Sequence, residues 1–324
     1  MHQLKRKKVM VVGDLMLDVY TMGLVDRISP EAPVPVLRVT QENRKAGGAG
    51  NAILNLVTLG MEVIPLGRLG NDFAGRTFLE TMKQENVDVR GIFIDDSFQT
   101  PLKNRIIASG QQIVRVDFEN PTCLSPKMEK QIVASLSQLL EGVQVLAISD
   151  YAKGFLTPSF LSILIENAKI RAIPVIVDPK GIDFTRYRGA TVIKPNLSEA
   201  VSAAGLGREA TLDQIAARLI SETEVESLIV TRSKEGISLF SHEGIREDYP
   251  AQVHEVKDVT GAGDTVLAIL AAALANELTL SFAAELANIA AGLAIEKIGC
   301  ARISLAELSA RLLEIDTQLA FRTT

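Results

Sequence analysis

Asp264 stands at the end of Asp258-Val259-Thr260-Gly261-Ala262-Gly263-Asp264, and an apolar run, 265–275, begins at the next residue. That run reads as a buried helix. Its first turn would leave N–H groups without partners and aim the positive end of the helix dipole at the glycine turn. Gly261 and Gly263 let a ligand approach bare backbone. Such a turn is an anion site, and a carboxylate inside it is best explained by proton handling. The chemistry expected is phosphoryl transfer. Asp264 would accept the proton of an attacking hydroxyl, while the amides of Gly261, Ala262 and Gly263 meet the charge developing on the transferred group. Read alone, the turn is equally consistent with Asp264 as a helix cap, since Asp is a favoured N-cap residue.

Other turns supply what such a reaction needs. Ala46-Gly47-Gly48-Ala49-Gly50-Asn51 opens a helix expected over 50–59, and Asn51 offers both a donor and an acceptor there. Asp14 and Asp18 follow a first strand over 9–12, at the end of a parallel strand where ligands bind in open α/β sheets. With Asn51 they suit the adjacent hydroxyls of a sugar. In Lys194-Pro195-Asn196-Leu197-Ser198-Glu199, Asn196 and Glu199 would orient a Mg²⁺ through its waters. By itself that segment is better read as a helix start with Glu in its first turn. Thr231-Arg232-Ser233-Lys234-Glu235-Gly236 closes a strand and suits nucleotide phosphates or ribose, through Thr231, Ser233 and Gly236.

Two common alternatives are absent. No G-x-x-x-x-G-K-[ST] string occurs. A dinucleotide fingerprint starting at Gly261 would need a third glycine where Val266 stands, and Asp264 would repel a pyrophosphate.

The elements that must carry these turns alternate. Strands are expected over 9–12, 62–66, 145–149, 175–178, 191–194 and 227–231, and helices over 50–59, 74–85, 159–169 and 212–221. This alternation predicts an α/β fold, a three-layer α/β/α sandwich with a mainly parallel central sheet. Two segments interrupt it: 34–40, behind the proline-rich 29–35, and 91–118, with three short strand-like runs. Both read as antiparallel excursions that build a small β lid. The simplest account is one domain over 1–324, with lid segments about 17–44 and 90–120 inserted, ending in helical regions over 283–295 and 305–313.

Composition narrows the partners. Apolar residues make up 47% of the 324, the charged fraction is 23%, and the net charge is −5. Nothing in that balance favours nucleic acid or an anionic membrane. The basic cluster Lys5 to Lys8 reads as a solvated lead-in. Cys123 and Cys300 are the only cysteines, and His2, His242 and His254 form no cluster, so neither a disulfide framework nor a His-ligated metal is expected. The first apolar run is too short for a signal peptide, and no uninterrupted stretch suits a membrane span. The location expected is cytoplasmic.

Together these motifs resemble the ribokinase-like (PfkB) family of carbohydrate kinases. Gly47-Gly48-x-Gly50-Asn51 is similar to its first signature and Asp258 to Asp264 to its second; Gly67-Arg68-Leu69-Gly70-Asn71-Asp72 and Asn196-x-x-Glu199 also match. One departure is Ser233, where many members carry glycine. Within the family, Arg27 to Pro35, Ser149-Asp150-Tyr151-Ala152-Lys153-Gly154, Asp178-Pro179-Lys180-Gly181, Arg186 to Ala190 and Thr231-Arg232-Ser233 resemble a bacterial branch. That branch phosphorylates the anomeric hydroxyl of D-glycero-D-manno-heptose 7-phosphate to the 1,7-bisphosphate, toward ADP-heptose and lipopolysaccharide. The resemblance implies ATP and Mg²⁺ as cofactors, with a monovalent cation left open. It implies Asp264 as base, Gly261 to Gly263 as anion hole, Asn196 and Glu199 serving the metal, and Asp14, Gly47, Gly48 and Asn51 holding the sugar.

A sugar already bearing a phosphate needs a cationic anchor away from Asp264. Lys103, Arg105, Arg115, Lys153 and Lys180 are available, and Arg105 and Lys180 are preferred. Members of this kind often pair through their lids. The apolar residues Val34, Val36, Val39, Ile106, Val114 and Val116 therefore predict a homodimer. Related kinases are often fused to an adenylyltransferase, and the sequence leaves open whether this is such a half. The rival readings are another sugar-phosphate or nucleoside kinase of the family and a non-catalytic sugar-phosphate sensor.

Overall fold

The computed structural model describes residues 4–322 apart from 208, 254 and 298, with side chains inside the last helix described as far as 315. His2 and His254 thus lie outside the described residues. Strands β1 (Lys8–Gly13), β2 (Leu15–Ile28) and β3 (Pro35–Gly48) lead into helix α1 (Ala49–Thr58). There follow β4 (Glu62–Gly70), α2 (Phe73–Gln84), β5 (Ile92–Asp95), β6 (Leu102–Ala108), β7 (Gln111–Phe118) and α3 (Pro126–Leu139). The next elements are β8 (Val145–Ser149), α4 (Pro158–Ile170), β9 (Val175–Asp178), β10 (Val192–Ile193), α5 (Leu197–Ala204) and α6 (Leu212–Thr223). The chain finishes with β11 (Ser227–Thr231), β12 (Ile237–Ser241), β13 (Arg246–Tyr249), α7 (Ala262–Ala275), α8 (Leu280–Ile295) and α9 (Leu305–Arg322).

A nine-stranded sheet runs β13-β12-β11-β10-β9-β8-β1-β4-β5, parallel throughout except for β12 and β13 at one edge. Period-two alternation divides its core. Val9 and Val11 pack with α1, α7 and α8, whereas Met10 and Val12 pack with α3, α4 and α6 on the opposite face. Each fully buried aliphatic side chain contributes on the order of 1.5–3 kcal/mol. The three-layer α/β/α expectation is therefore met. The order also reverses at β1, because the chain reaches β4 on one side and β8 on the other. The C-terminal ends of β1 and β8 flank that switch point, where ligands bind in sheets of this kind.

The lid is a separate four-stranded sheet, β3-β2-β6-β7. Two local readings change. β2 is a strand that the sequence does not announce: its first half is buried on both faces, so the alternation that marks a half-buried strand is missing. The first of the three runs in 91–118, β5, joins the main sheet beside β4 instead of the lid. The crossover through α2 returns the chain parallel to β4.

Candidate active site

Charged and polar residues collect where β1, β8, β9, β10 and β11 end. α7 begins at Ala262, three residues earlier than the apolar run suggests, and Gly261 is its N-cap in a left-handed conformation (φ 82°). A Cβ on Gly261 would lie 2.6 Å from Asn51 Nδ2, so only glycine permits both the turn and this approach. Among the described residues no hydrogen bond occupies the N–H groups of Gly261 or Gly263, while that of Ala262 reaches Val259 O at 3.4 Å. The turn therefore offers free donors.

Asp264 sits inside the first helical turn and caps nothing. Its Oδ2 accepts from Asn51 Nδ2 at 2.9 Å and its Oδ1 from the Tyr151 hydroxyl at 2.8 Å. Burial pushes its pKa up to about 7; the bonds from Asn51 and Tyr151 and the charge on Lys194 oppose that rise, while Asp178 adds to it. A carboxylate poised there suits a general base at neutral pH. The cap reading fails on geometry.

Lys194, at the end of β10, is buried and pairs with Asp178 Oδ1 at 2.9 Å. A Cβ on Gly263 would stand 3.7 Å from Lys194 Nζ and 3.6 Å from Asp178 Oδ2. The pair therefore flanks the open turn and brings a cation to it. Burial raises the Asp178 pKa against the pull of Lys194. Sequence reasoning assigned no role to Tyr151, Asp178 or Lys194. The available signal was position, since all three lie at the C-terminal ends of parallel strands.

Asp14 is held differently. Its Oδ2 accepts from the backbone N–H of Tyr151 (2.9 Å) and Lys153 (3.0 Å), and its Oδ1 accepts a longer bond from Phe155 N (3.4 Å). Burial and then Asp150 raise its pKa to about 6. Asp150 takes the Ala152 N–H at 2.7 Å and the Tyr187 hydroxyl at 2.7 Å. These bonds fix the loop that aims Tyr151 at Asp264.

Asp18 projects from the lid strand β2 and accepts from Arg105 Nη1 at 2.6 Å. It packs so closely that a Cβ on Gly47 would fall 2.2 Å from its Oδ2. Gly48, beside it, is the N-cap of α1, the helix that carries Asn51. Lys180 lies elsewhere, with its Nζ 2.7 Å from Glu199 Oε1. Arg105 and Lys180 are thus each paired with a different carboxylate and make no bond with one another.

Asn196 and Glu199 form a capping box at the start of α5: Asn196 Oδ1 accepts from Glu199 N at 2.9 Å, and Glu199 Oε2 from Asn196 N at 3.1 Å. No group of three or more His, Cys, Asp or Glu converges among the described residues. The residues fit an ion held through water and do not fit a protein cage. Thr231, Ser233 and Gly236 line a cavity of about 630 Å³ together with Ala262, Gly263 and Asn288. The three residues expected at a nucleotide are thereby joined to the anion turn. Both Cys123 and Cys300 are free thiols, and no described helix is long and apolar enough to cross a membrane.

A large parallel sheet, a β lid and an acid beside an open glycine turn define a ribokinase-like kinase. Two solved structures share the fold. Escherichia coli phosphofructokinase-2 in complex with potassium superposes with a TM-score of 0.79 at 20% identity, over 96% of this chain and 100% of that one. Arabidopsis thaliana ribokinase complexed with ribose and ATP gives a TM-score of 0.72 at 19% identity, over 95% and 99%. The signature of the pfkB family carbohydrate kinases matches residues 6–307, and the chain belongs to that family. Among curated relatives, the bifunctional protein HldE of Geobacter metallireducens is 47% identical over 92% of this chain and 61% of its own length. HldE of Trichlorobacter lovleyi is 46% identical over 94% and 62%. The chain spans about three fifths of these relatives.

Proposed function

We propose that this kinase transfers a phosphoryl group from ATP to the anomeric hydroxyl of D-glycero-D-manno-heptose 7-phosphate, giving the 1,7-bisphosphate on the way to ADP-heptose and lipopolysaccharide core. The single observation that carries the chemistry is Asp264, buried between Asn51 and Tyr151 beside the open amides of Gly261 and Gly263. The resemblance of the 149–154, 178–181 and 186–190 segments to the heptose-phosphorylating branch supports the choice of sugar, and similarity to the bifunctional protein HldE over 92–94% of the chain accords with it.

In this reading Asp264 takes the proton from the attacking hydroxyl, made easier because an anomeric hydroxyl is more acidic than an ordinary alcohol. The turn amides and Lys194 stabilise charge on the transferred group. ATP occupies the cavity lined by Thr231, Ser233 and Gly236. A hydrated Mg²⁺ held through Asn196 and Glu199 would supply charge neutralisation on the nucleotide phosphates. Asn51, Gly47 and Gly48, with the less engaged Oδ1 of Asp14, hold the sugar; Asp18 reaches it together with Arg105. The exposed lid residues Val34, Val39, Val114 and Val116 support a homodimer through the lid, and gel filtration with light scattering tests it.

The substrate is tested by initial rates with MgATP on heptose 7-phosphate, fructose 1-phosphate and adenosine. Preference for heptose 7-phosphate, with a 1,7-bisphosphate product by phosphorus NMR, is expected. Preference for either of the others overturns the assignment.

A further inference from the structure

Among the basic groups around the site, Lys103 is set apart. Arg105 pairs with Asp18, Arg115 with Asp117, Lys180 with Glu199 and Lys153 with Glu119, all at 2.9 Å or closer. Lys103, on β6, is half-buried, and its side chain makes no hydrogen bond or ion pair among the described residues. Its Nζ lies 5.8 Å from the centroid of the Tyr151 ring, and the hydroxyl of that tyrosine donates to Asp264. One tyrosine side chain therefore separates an unpaired ammonium from the base.

The register explains the placement. Lys103 lies opposite Asp18, and Arg105 opposite Tyr20, so alternation puts all four on one face of the lid. The charged groups that act on Lys103 are Lys153 from the loop after β8, Asp18 from β2, and Glu119 and Asp117 at the end of β7. Burial lowers its pKa, and the like charge of Lys153 lowers it further. Of the two lysines only Lys153 has a carboxylate partner. Asp18, Glu119 and Asp117 oppose that shift, but each already pairs with another cation, Arg105, Lys153 and Arg115 respectively, so an anion bound between the two lysines would supply the direct partner that the half-buried Lys103 ammonium lacks.

We propose that Lys103, assisted by Lys153, binds the phosphate at the far end of the sugar substrate. The inference rests on the sugar-phosphate reading above and changes its anchor: Arg105 braces Asp18, and Lys180 serves the nucleotide end. A pyranose ring has about the breadth of a phenol ring. A sugar lying along Tyr151 thus presents one end to Asp264 and its distal phosphate to Lys103. The lid strand β6 then reads the second charge of the substrate while the main sheet performs the transfer.

The test compares wild type, Lys103→Met and Lys103→Arg on heptose 7-phosphate and on the unphosphorylated heptose. Loss of a charge-assisted contact should raise KM for heptose 7-phosphate roughly 10- to 100-fold. Preference for the phosphorylated sugar should fall by a similar factor, kcat should stay within about threefold, and the Arg variant should recover most of the loss. An unchanged preference, or a loss residing in kcat, overturns the proposal. Independently of turnover, inorganic phosphate is titrated by calorimetry into wild type and Lys103→Met, each saturated with a non-hydrolysable ATP analogue. Weaker binding to the variant supports the subsite, and equal binding overturns it. If wild type rejects heptose 7-phosphate, the proposed substrate fails, and the phosphate titration still decides the role of Lys103.

Discussion

Asp264 and Asp14 are both buried carboxylates at the C-terminal edge of the main sheet, and burial is the first cause of the raised pKa in each, to about 7 and about 6. They differ in what satisfies them. Asp14 is gripped by backbone amides of a single loop, whereas Asp264 is met by two side chains, from α1 and from the loop after β8. Backbone donors cannot turn away without rebuilding the loop. Side-chain donors can yield, and each carboxylate oxygen keeps a second lone pair. The comparison separates a carboxylate placed to exchange a proton from one that also builds the site. The two are linked, because the loop held by Asp14 carries Tyr151 to Asp264.

The largest effect should come from Asp264→Asn. The amide can accept from Asn51 and donate to the Tyr151 oxygen, so the geometry survives while the base is lost. Turnover should fall by roughly 10²- to 10⁴-fold, the usual contribution of general base catalysis, with binding of both substrates within a few fold by calorimetry. The same variant checks the burial of the charge. The folded pKa of Asp264 is raised above its ordinary 3.8, so the native state retains a proton that the unfolded chain releases. Its contribution to stability is present at low pH and is lost as pH rises through about 7. Urea denaturation should therefore show the variant gaining on wild type between about pH 4 and pH 8, and a constant difference would contradict the raised pKa.

Asp14→Asn should act through architecture. Its amide NH₂ would face backbone N–H donors, leaving buried groups unpaired at a cost of about 1–3 kcal/mol. Hydrogen exchange should rise over residues 150–155, and turnover should drop less than in Asp264→Asn. The reverse order of effects would exchange the roles of the two acids. Tyr151→Phe is smaller again. Its hydroxyl bond favours the carboxylate form of Asp264, so removing it should move the acidic limb of kcat/KM to higher pH. A third carboxylate extends the comparison to the surface. Glu199 pairs with Lys180, whose side chain is 48% exposed, so Lys180→Met should change stability by less than about 1 kcal/mol.

The open glycine turn and its acid were legible because they lie in one short stretch of sequence. Gly261, Gly263 and Asp264 are contiguous, and the Gly47-Gly48 turn opens the helix that carries Asn51, so local pattern sufficed. The main sheet was legible for a related reason: its strands are short, β-branched and separated by helices. What escaped depends on contacts across the fold. Tyr151 reaches Asp264 only because Asp14, far earlier in the chain, holds its loop. Lys194 and Asp178 face the glycine turn because β9 and β10 are neighbours, which neither segment announces. The sequence likewise did not show that Arg105 and Lys180, preferred there as phosphate contacts, pair with Asp18 and Glu199. Burial of β2 on both faces erased the alternation that would have revealed it.

The most direct test of Asp264 as proton acceptor is the pH dependence of kcat/KM in the unmodified protein, followed from about pH 5 to pH 9 with saturating MgATP. A base whose pKa burial has raised to about 7 predicts an acidic limb with unit slope near that value. A profile that stays flat well below pH 6 would show that no such group titrates in catalysis and would contradict the account.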